Sequence, residues 1–317
     1  MTFKLLVPDT IVKNVVAAPG SQIVYYSPEL PIPVEHHDAQ GIVIWGGRLK
    51  WLLQTASELK QLRWVQGLAA GPDAILKAGF VPEAILTNGV GLHNSPVTEH
   101  ALALLLAASR SLPAAAASQA KAEWNHAIGG LEDINAPKRL SSIRGSHIVI
   151  WGYGSIARTL TAVLQQLGAT VSGVASRART EGEVKVVATN EIDGLLPNTD
   201  ALIMLLPSTP ETDNVLDRRR MQLLPKHAWV INVGRGNSIN EVDLDAALRA
   251  GDFAGAAIDV TKIEPLPADS PLWKTPNLII TPHAAGGRPV EPELLIQENL
   301  KKLLLNQPME NVVTRKS

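Results

Sequence analysis

The sequence predicts an α/β fold made of two doubly wound parallel-sheet domains. Three observations lead there. The chain has 317 residues, long for one domain at about 100–200 residues each. Short apolar runs rich in Val, Ile and Leu alternate with helical stretches over most of its length. These runs are nearly continuous in apolar character, as parallel strands buried on both faces require.

In the first part, KLLV (4–7), QIVYY (22–26), GIVIW (41–45), LRWVQ (62–66) and AILTN (84–88) read as strands. Pro, Gly, Asn or Asp bound them and stop them. LKWLLQTASELK (49–60) has helical spacing, with Leu49, Leu52, Leu53 and Leu59 on or near one face. The stretch 96–124 opens with Pro96, offers Thr98 as a cap, and repeats Leu102, Leu105 and Leu106 at helical spacing. Its first helix should end at Pro113, and a long helix here suits a crossing between domains. The Gly-, Pro- and charge-rich stretch 129–146 reads as a hinge.

The alternation then resumes. HIVIW (147–151), ATVSGVA (169–175), VKVVA (184–188), ALIMLL (201–206), AWVINV (228–233), GAAIDV (255–260) and NLIITP (277–282) are strand candidates. Helices are expected at 155–168 and 240–252. The amphipathic segment 292–307 follows the last strand and is expected to return to the first domain. Residues 1–96 plus 288–317 should therefore form one discontinuous domain, and 97–287 the other.

Composition narrows the function. The formal charge is −1, from 29 Lys and Arg against 30 Asp and Glu. That balance argues against nucleic acid or an anionic membrane as main partner, since both select a basic excess. The absence of Cys excludes a disulfide framework, thiolate metal sites and a Cys nucleophile. No metal is expected. No apolar run approaches the roughly 20 residues of a membrane helix. MTFKLLVPD (1–9) reads as strand and turn, unlike a signal peptide. The expected location is the cytoplasm, away from membranes.

The strand HIVIW runs into Gly152-Tyr153-Gly154-Ser155-Ile156-Ala157 and then a helix. In that setting Gly152 permits a tight turn, Gly154 a close approach to a pyrophosphate, and Ala157 tight helix–strand packing. A plain strand–helix turn is the bland alternative, so this domain is expected to be a Rossmann dinucleotide-binding domain and the other a flavodoxin-like substrate domain. Past the next strand, an acidic residue would bind the ribose 2′-hydroxyl of NAD. Ser176, Arg177, Ala178, Arg179 and Thr180 stand there, with no carboxylate before Glu181. Ser and Arg suit a 2′-phosphate, so NADP is the expected cofactor, with NAD possible. Arg177 and Arg179 as mere solvated charges are the alternative.

Three further segments end strands: INVGRGNSIN (231–240), DVTKIEPLP (259–267) and TPHAAGG (281–287). Ligands of an open parallel sheet sit at the carboxyl ends of its strands. Carbonyl reduction needs a hydride and a proton. His283 is the candidate acid, Glu264 the carboxylate that raises its pKa, and Arg235 the grip on a substrate carboxylate. Singly, a His is more often structural and an Arg could simply pair with an acid; jointly they favour catalysis.

From about Leu62 onward the chain resembles the D-isomer-specific 2-hydroxyacid dehydrogenase family. VQGLAAGPD (65–73), LTNGVGLHNSPVTEHALALLLA (86–107), WGYGSIA (151–157), LLPSTPETDN (205–214), NVGRGNSI (232–239), DVTKIEPLP and ITPHAAG (280–286) carry the resemblance. It implies two similar α/β domains with the active site in the cleft between them, and Arg235, Glu264 and His283 as the catalytic set. It implies that Ala69, Ala70 and Gly71, with the loop at Val90 and Gly91, bind the substrate's carboxylate and oxygen. Leu206, Pro207, Thr209, Val233, Gly234, Asp259 and Gly286 match positions lining the nicotinamide cofactor, with Asp259 on the carboxamide side. A homodimer with the 97–130 region in its interface is implied as well.

The missing acid after the second strand resembles the NADPH-using glyoxylate/hydroxypyruvate reductase branch. The expected activity is reduction of such a small 2-keto acid to the D-2-hydroxy acid. A D-lactate or phosphoglycerate dehydrogenase, or a silent nucleotide-sensing corepressor, are the alternatives. Among the other His, His93 is a weaker substrate candidate and His100 a packing or cap contact.

Overall fold

The structure is a computed structural model describing residues 2–11, 14–128 and 139–315. The chain separates into two compact units, Met1–His93 with Arg288–Ser317, and Asn94–Gly287.

In the first unit, strands β1 (Phe3–Pro8), β2 (Ser21–Tyr26), β3 (Gly41–Ile44), β4 (Trp64–Gly67) and β5 (Ile85–Thr87) form one parallel sheet in the order β2-β1-β3-β4-β5. Helices α1 (Leu49–Glu58) and α2 (Asp73–Lys77) connect them. The strand order is that of flavodoxin-like sheets. Alternate residues face opposite sides of a strand. Leu6, Ile42 and Ile44 pack in the same cluster as Leu52 and Leu59. Leu5, Val7 and Val43 instead pack with Ile296, Leu300 and Leu303 of the C-terminal helix (Pro292–Leu304). Both faces of the central strands β1, β3 and β4 are covered, and their sequences run apolar apart from Lys4 and Gln66. Each such Leu or Ile removed from water contributes about 1.5–3 kcal/mol.

The second unit begins with α3 (Asn94–Ser109) and α4 (Leu112–Ala120). Its strands are β6 (His147–Trp151), β7 (Thr170–Ala175), β8 (Arg179–Glu181), β9 (Val184–Ala188), β10 (Ala201–Met204), β11 (Trp229–Asn232), β12 (Gly255–Ile258) and β13 (Leu278–Ile280). Helices α5 (Ser155–Gln166), α6 (Arg218–Met221) and α7 (Glu241–Ala250) lie between them, and the C-terminal helix of the first unit is α8. The eight-stranded sheet has the order β13-β12-β11-β10-β6-β7-β9-β8. All pairs are parallel except β8–β9. The chain moves outward from β6 in one direction through β7 and β9, then resumes on the other side at β10. That reversal places a switch point at the β6–β10 boundary, where such sheets bind ligands.

Several local expectations are corrected. The 96–124 stretch is two helices: α3 starts at Asn94, before Pro96, and stops at Ser109, with Ser111 left-handed at φ 53°. Pro113 sits in the first turn of α4 instead of ending α3, a position that needs no N–H donor. Thr98 caps nothing; it is buried inside α3. The helix buries Val97, Ala101, Leu104, Leu105 and Ala108, while Leu106 turns outward. In α1 the buried side is Leu52, Thr55 and Ala56, followed by Leu59, and Leu49 and Leu53 are exposed. The strand β8 was not expected. Of the stretch read as a hinge, 129–138 lies outside the described residues. Leu140 and Ile143 at its far end join the core beneath α3 and α5.

Candidate active site

The carboxyl ends of β6, β10, β11, β12 and β13 carry most of the expected site residues, all in the second unit. At β6, Gly152 has φ 103°, and a Cβ there would lie 2.6 Å from the Leu205 carbonyl oxygen. Only glycine fits such a turn. Gly154 is extended, and nothing lies within 4 Å of where its Cβ would be. Beside that open space α5 begins, and Ser155, Ile156 and Ala157 lie in its first turn, where N–H groups have no intrahelical acceptor. Tyr153 does not point outward. Its ring packs on Gly173 of β7, and its hydroxyl donates to Thr161 Oγ1 at 3.0 Å. The donors and the open backbone fit a dinucleotide pyrophosphate.

The neighbouring loops press together. A Cβ on Gly234 would lie 2.7 Å from Leu206 N, which joins the loops after β10 and β11. On Gly236 it would lie 2.0 Å from the Thr261 carbonyl carbon, which joins those after β11 and β12. The Thr212 hydroxyl donates to the Pro207 carbonyl at 2.6 Å and accepts from Thr209 N at 2.9 Å. Asn232 at the end of β11 is fully buried; its Oδ1 accepts from Gly234 N at 3.1 Å, and its Nδ2 donates to the Arg235 carbonyl at 3.1 Å. Val233 is buried above it. Arg235 is thus presented from a braced loop.

His283 follows β13 in a left-handed conformation, φ 52°. Its N–H donates to the Asp259 carbonyl at 2.7 Å. Its Nδ1 meets Glu264 Oε2 at 2.7 Å, and Glu264 Oε1 accepts from Thr261 N at 3.0 Å. The hydrogen bond to Glu264 holds the His283 pKa above its ordinary value, against partial burial and the Arg235 charge. Burial pushes the Glu264 carboxyl up, but the bonds from His283 and Thr261, with the His283 and Arg235 charges, bring it below the usual carboxylate value. With Glu264 ionised, Nδ1 is the donor and Nε2 remains for a substrate. A cavity of about 580 Å³ adjoins the pair, walled by Leu266, Trp273 and Ile280.

Asp259 was expected to line the cofactor. Its carboxylate has no exposed surface and faces inward onto the loop carrying His283. It accepts the Thr281 hydroxyl at 2.6 Å, Ala284 N at 2.8 Å and Ala285 N at 2.9 Å. His100 of α3 completes this cluster, with Nε2 at 3.2 Å from Asp259 and 2.9 Å from Thr281 Oγ1. The signal for His100 was available: a His among the apolar residues of a packed helix needs a polar partner. Gly286 follows on the same loop.

After β7, Ser176 and Arg177 are exposed, and Arg177 makes no ion pair among the described residues. Arg179 and Thr180 belong to β8. Arg179 is tied to Glu181, which sequence reasoning passed over. Residues two apart on a strand share a face, and that spacing was the missed cue.

Ala69, Ala70 and Gly71 belong to the first unit. The Ala69 carbonyl accepts from Gly89 N at 2.8 Å, and that of Ala70 from Asn88 Nδ2 at 3.0 Å. Their own N–H groups, with that of Gly71, meet no acceptor among the described residues. Gly89 sits so close that a Cβ would lie 1.9 Å from the Leu68 carbonyl oxygen; Val90 and Gly91 follow it, exposed. His93, weighed as a substrate contact, is buried: it bonds the Leu68 carbonyl at 2.9 Å and stacks on Trp45.

Comparison with known proteins agrees with this architecture. A glyoxylate/hydroxypyruvate reductase A of Klebsiella pneumoniae is 40% identical over 126 residues, 39% of this chain and 40% of that one. The structure of a D-isomer specific 2-hydroxyacid dehydrogenase family protein from Aeromonas salmonicida superposes with a TM-score of 0.83 at 27% identity, covering 99% of each chain. The fold is shared, at 24% identity and a TM-score of 0.81 over 98% of each chain, with an NADPH-dependent glyoxylate/hydroxypyruvate reductase from Sinorhizobium meliloti solved with NADP and sulfate. The sequence model of the D-isomer specific 2-hydroxyacid dehydrogenase NAD binding domain matches residues 102–285, more than half of the chain. This chain therefore belongs to the D-isomer specific 2-hydroxyacid dehydrogenase family, and its second unit is the NAD(P)-binding domain.

Proposed function

We propose that this protein reduces a small 2-keto acid, of the glyoxylate or hydroxypyruvate class, to the D-2-hydroxy acid, with NADPH preferred over NADH. The observation that carries the reading is the 2.7 Å bond between His283 Nδ1 and Glu264, at the same sheet edge as the dinucleotide loop. NAD(P)H, when bound, supplies the hydride for the carbonyl carbon. His283 gives the proton from Nε2 to the carbonyl oxygen, and Glu264 keeps the ring protonated. Arg235 holds the substrate carboxylate and polarises the adjacent keto group. The amides of Ala69, Ala70 and Gly71, which meet no acceptor among the described residues, are assigned as further substrate donors.

Ser155 and Ile156, with Gly152 and Gly154, are assigned to the pyrophosphate. Leu206, Pro207, Thr209, Val233, Gly234 and Gly286 are assigned to the nicotinamide half. The NADPH preference rests on Ser176, Arg177, Arg179 and Thr180, and is in keeping with the NADP bound to the Sinorhizobium relative. A homodimer is proposed, supported by the Ala-rich helix α4 and by Trp124, which is 87% exposed. The proposed location is the cytoplasm, in keeping with the lack of Cys; among the described residues no single helix is long and apolar enough to cross a membrane.

The test is a panel of keto acids, including glyoxylate, hydroxypyruvate, pyruvate and phosphohydroxypyruvate, with NADPH or NADH oxidation followed by absorbance. Highest kcat/KM for glyoxylate or hydroxypyruvate with NADPH is expected. Tight NADPH binding without oxidation across the panel would overturn the enzyme reading in favour of a nucleotide sensor.

A further inference from the structure

We propose that Glu181 sets how strongly this protein discriminates NADP from NAD, by competing from within the chain with the 2′-phosphate for Arg179. The inference rests on the nucleotide reading of the loops after β6 and β7.

The geometry is specific. Arg179 donates from Nε to Glu181 Oε1 at 2.5 Å and from one terminal nitrogen to the Tyr153 carbonyl at 2.8 Å. Its other terminal nitrogen reaches the Arg177 carbonyl at 3.3 Å. The guanidinium therefore fastens β8 to the phosphate loop, because Tyr153 lies between Gly152 and Gly154. On its other side Glu181 is gripped by Arg158, in the second turn of α5, with Nε–Oε2 at 2.6 Å and a terminal nitrogen to Oε1 at 3.0 Å. Both carboxylate oxygens are occupied. The bonds from Arg158 and then Arg179 bring the Glu181 pKa down to about 2, so the carboxylate stays ionised across the working pH range.

Of the three arginines here, Arg158 and Arg179 are bound to Glu181, and the Arg177 guanidinium has no hydrogen bond or ion pair among the described residues. The Arg179 Nε–H that binds Glu181 is not available to a phosphate, and each of its terminal nitrogens already spends a donor on a backbone carbonyl. A 2′-phosphate must therefore be read by Arg177 with Ser176, or must draw Arg179 away from Glu181. In both cases it meets the negative charge of Glu181. An NAD ribose, uncharged at that position, does not. Glu181 hence weakens the nucleotide with the phosphate and leaves the other nearly untouched.

The experiment measures binding of 2′,5′-ADP and 5′-AMP, which need neither substrate nor turnover, to the purified full chain by calorimetry. Glu181→Gln keeps the shape and removes the charge. Its ratio of 2′,5′-ADP to 5′-AMP affinity should rise about three- to tenfold, the size of one partly screened unit charge at close range. Arg158→Ala leaves Glu181 to Arg179 alone, so the same ratio should fall. Arg177→Ala should lower it most. Wild-type binding that favours 2′,5′-ADP, with Glu181→Gln unchanged or weaker in that ratio, would overturn the role of Glu181 while the nucleotide reading stands. Wild-type protein that binds neither probe would overturn both.

Discussion

Two carboxylates five residues apart in the loop after β12 make opposite use of the same functional group. Asp259 is sealed in the protein and accepts from a hydroxyl and two backbone N–H groups, with His100 Nε2 3.2 Å away. Glu264 stands at the surface, 38% exposed, and accepts from one backbone N–H and from His283. Burial decides the work each can do. A sealed carboxylate whose partners are mostly backbone fixes a loop in place. One that shares a bond with a solvent-accessible imidazole changes how readily that ring keeps its proton. The two act on the same residue, since Asp259 fixes the backbone on both sides of His283 and Glu264 tunes its ring.

The largest effect should come from His283 itself. His283→Asn tolerates the left-handed φ of 52° better than Ala would, so backbone strain does not confuse the result. Turnover should fall about 10²–10⁴-fold if proton transfer contributes as general acids usually do, with little change in the urea midpoint. Turnover at the wild-type level would remove His283 from the chemistry.

Next comes the sealed partner. Asp259→Ala strands the N–H groups of Ala284 and Ala285 and the Thr281 hydroxyl. An unsatisfied group costs about 1–3 kcal/mol when buried, and of the three Ala285 is the buried one, so denaturant unfolding should show a loss of about 1–3 kcal/mol, together with lower turnover. Glu264→Gln should leave the unfolding midpoint nearly alone. Equal destabilisation by both variants would erase the distinction between them.

Much of this was legible in the sequence, for a physical reason. Strand–helix alternation, the Gly152–Ala157 turn and the residues just past each strand are local patterns, and a parallel sheet sends the carboxyl ends of its neighbouring strands to one edge. That is how Arg235, Glu264 and His283 could be named together. What escaped was set by contacts distant in sequence. The bond from His100 to Thr281 spans 181 residues. The inward turn of Asp259 depends on where the 281–285 loop falls. The end of α3 at Ser109 depends on Ser111 going left-handed, where Pro113 looked like the stop. Leu49 and Leu53 fit a helical period yet lie outside, because the direction of the buried stripe follows the sheet beneath it.

A pH profile sharpens the contrast further. The proposed reduction takes its proton from His283, so kcat should fall as pH rises through the His283 pKa. Glu264 is the chief cause of the upward shift. In Glu264→Gln that fall should therefore move to lower pH, and an unmoved profile would refute the pairing.

The smallest effect is the pair's own contribution to stability, and its sign follows from the same shifts. The His283 pKa is raised on folding, so its share is complete below the free imidazole value, about 6.5, and is lost as pH climbs through the raised value. The Glu264 pKa is lowered, so its share is present above the free carboxyl value, about 4.3, and is lost as pH falls through the lowered value. The difference in unfolding free energy between wild type and Glu264→Gln should peak between those limits. It should stay below about 1 kcal/mol, because both side chains are partly solvated. Asp259→Ala, whose damage is mainly to the Thr281 hydroxyl and two backbone N–H groups, should keep most of its penalty as pH rises past the point where the Glu264 difference fades. A Glu264 penalty that persisted there would mean that Glu264, too, is mainly scaffolding.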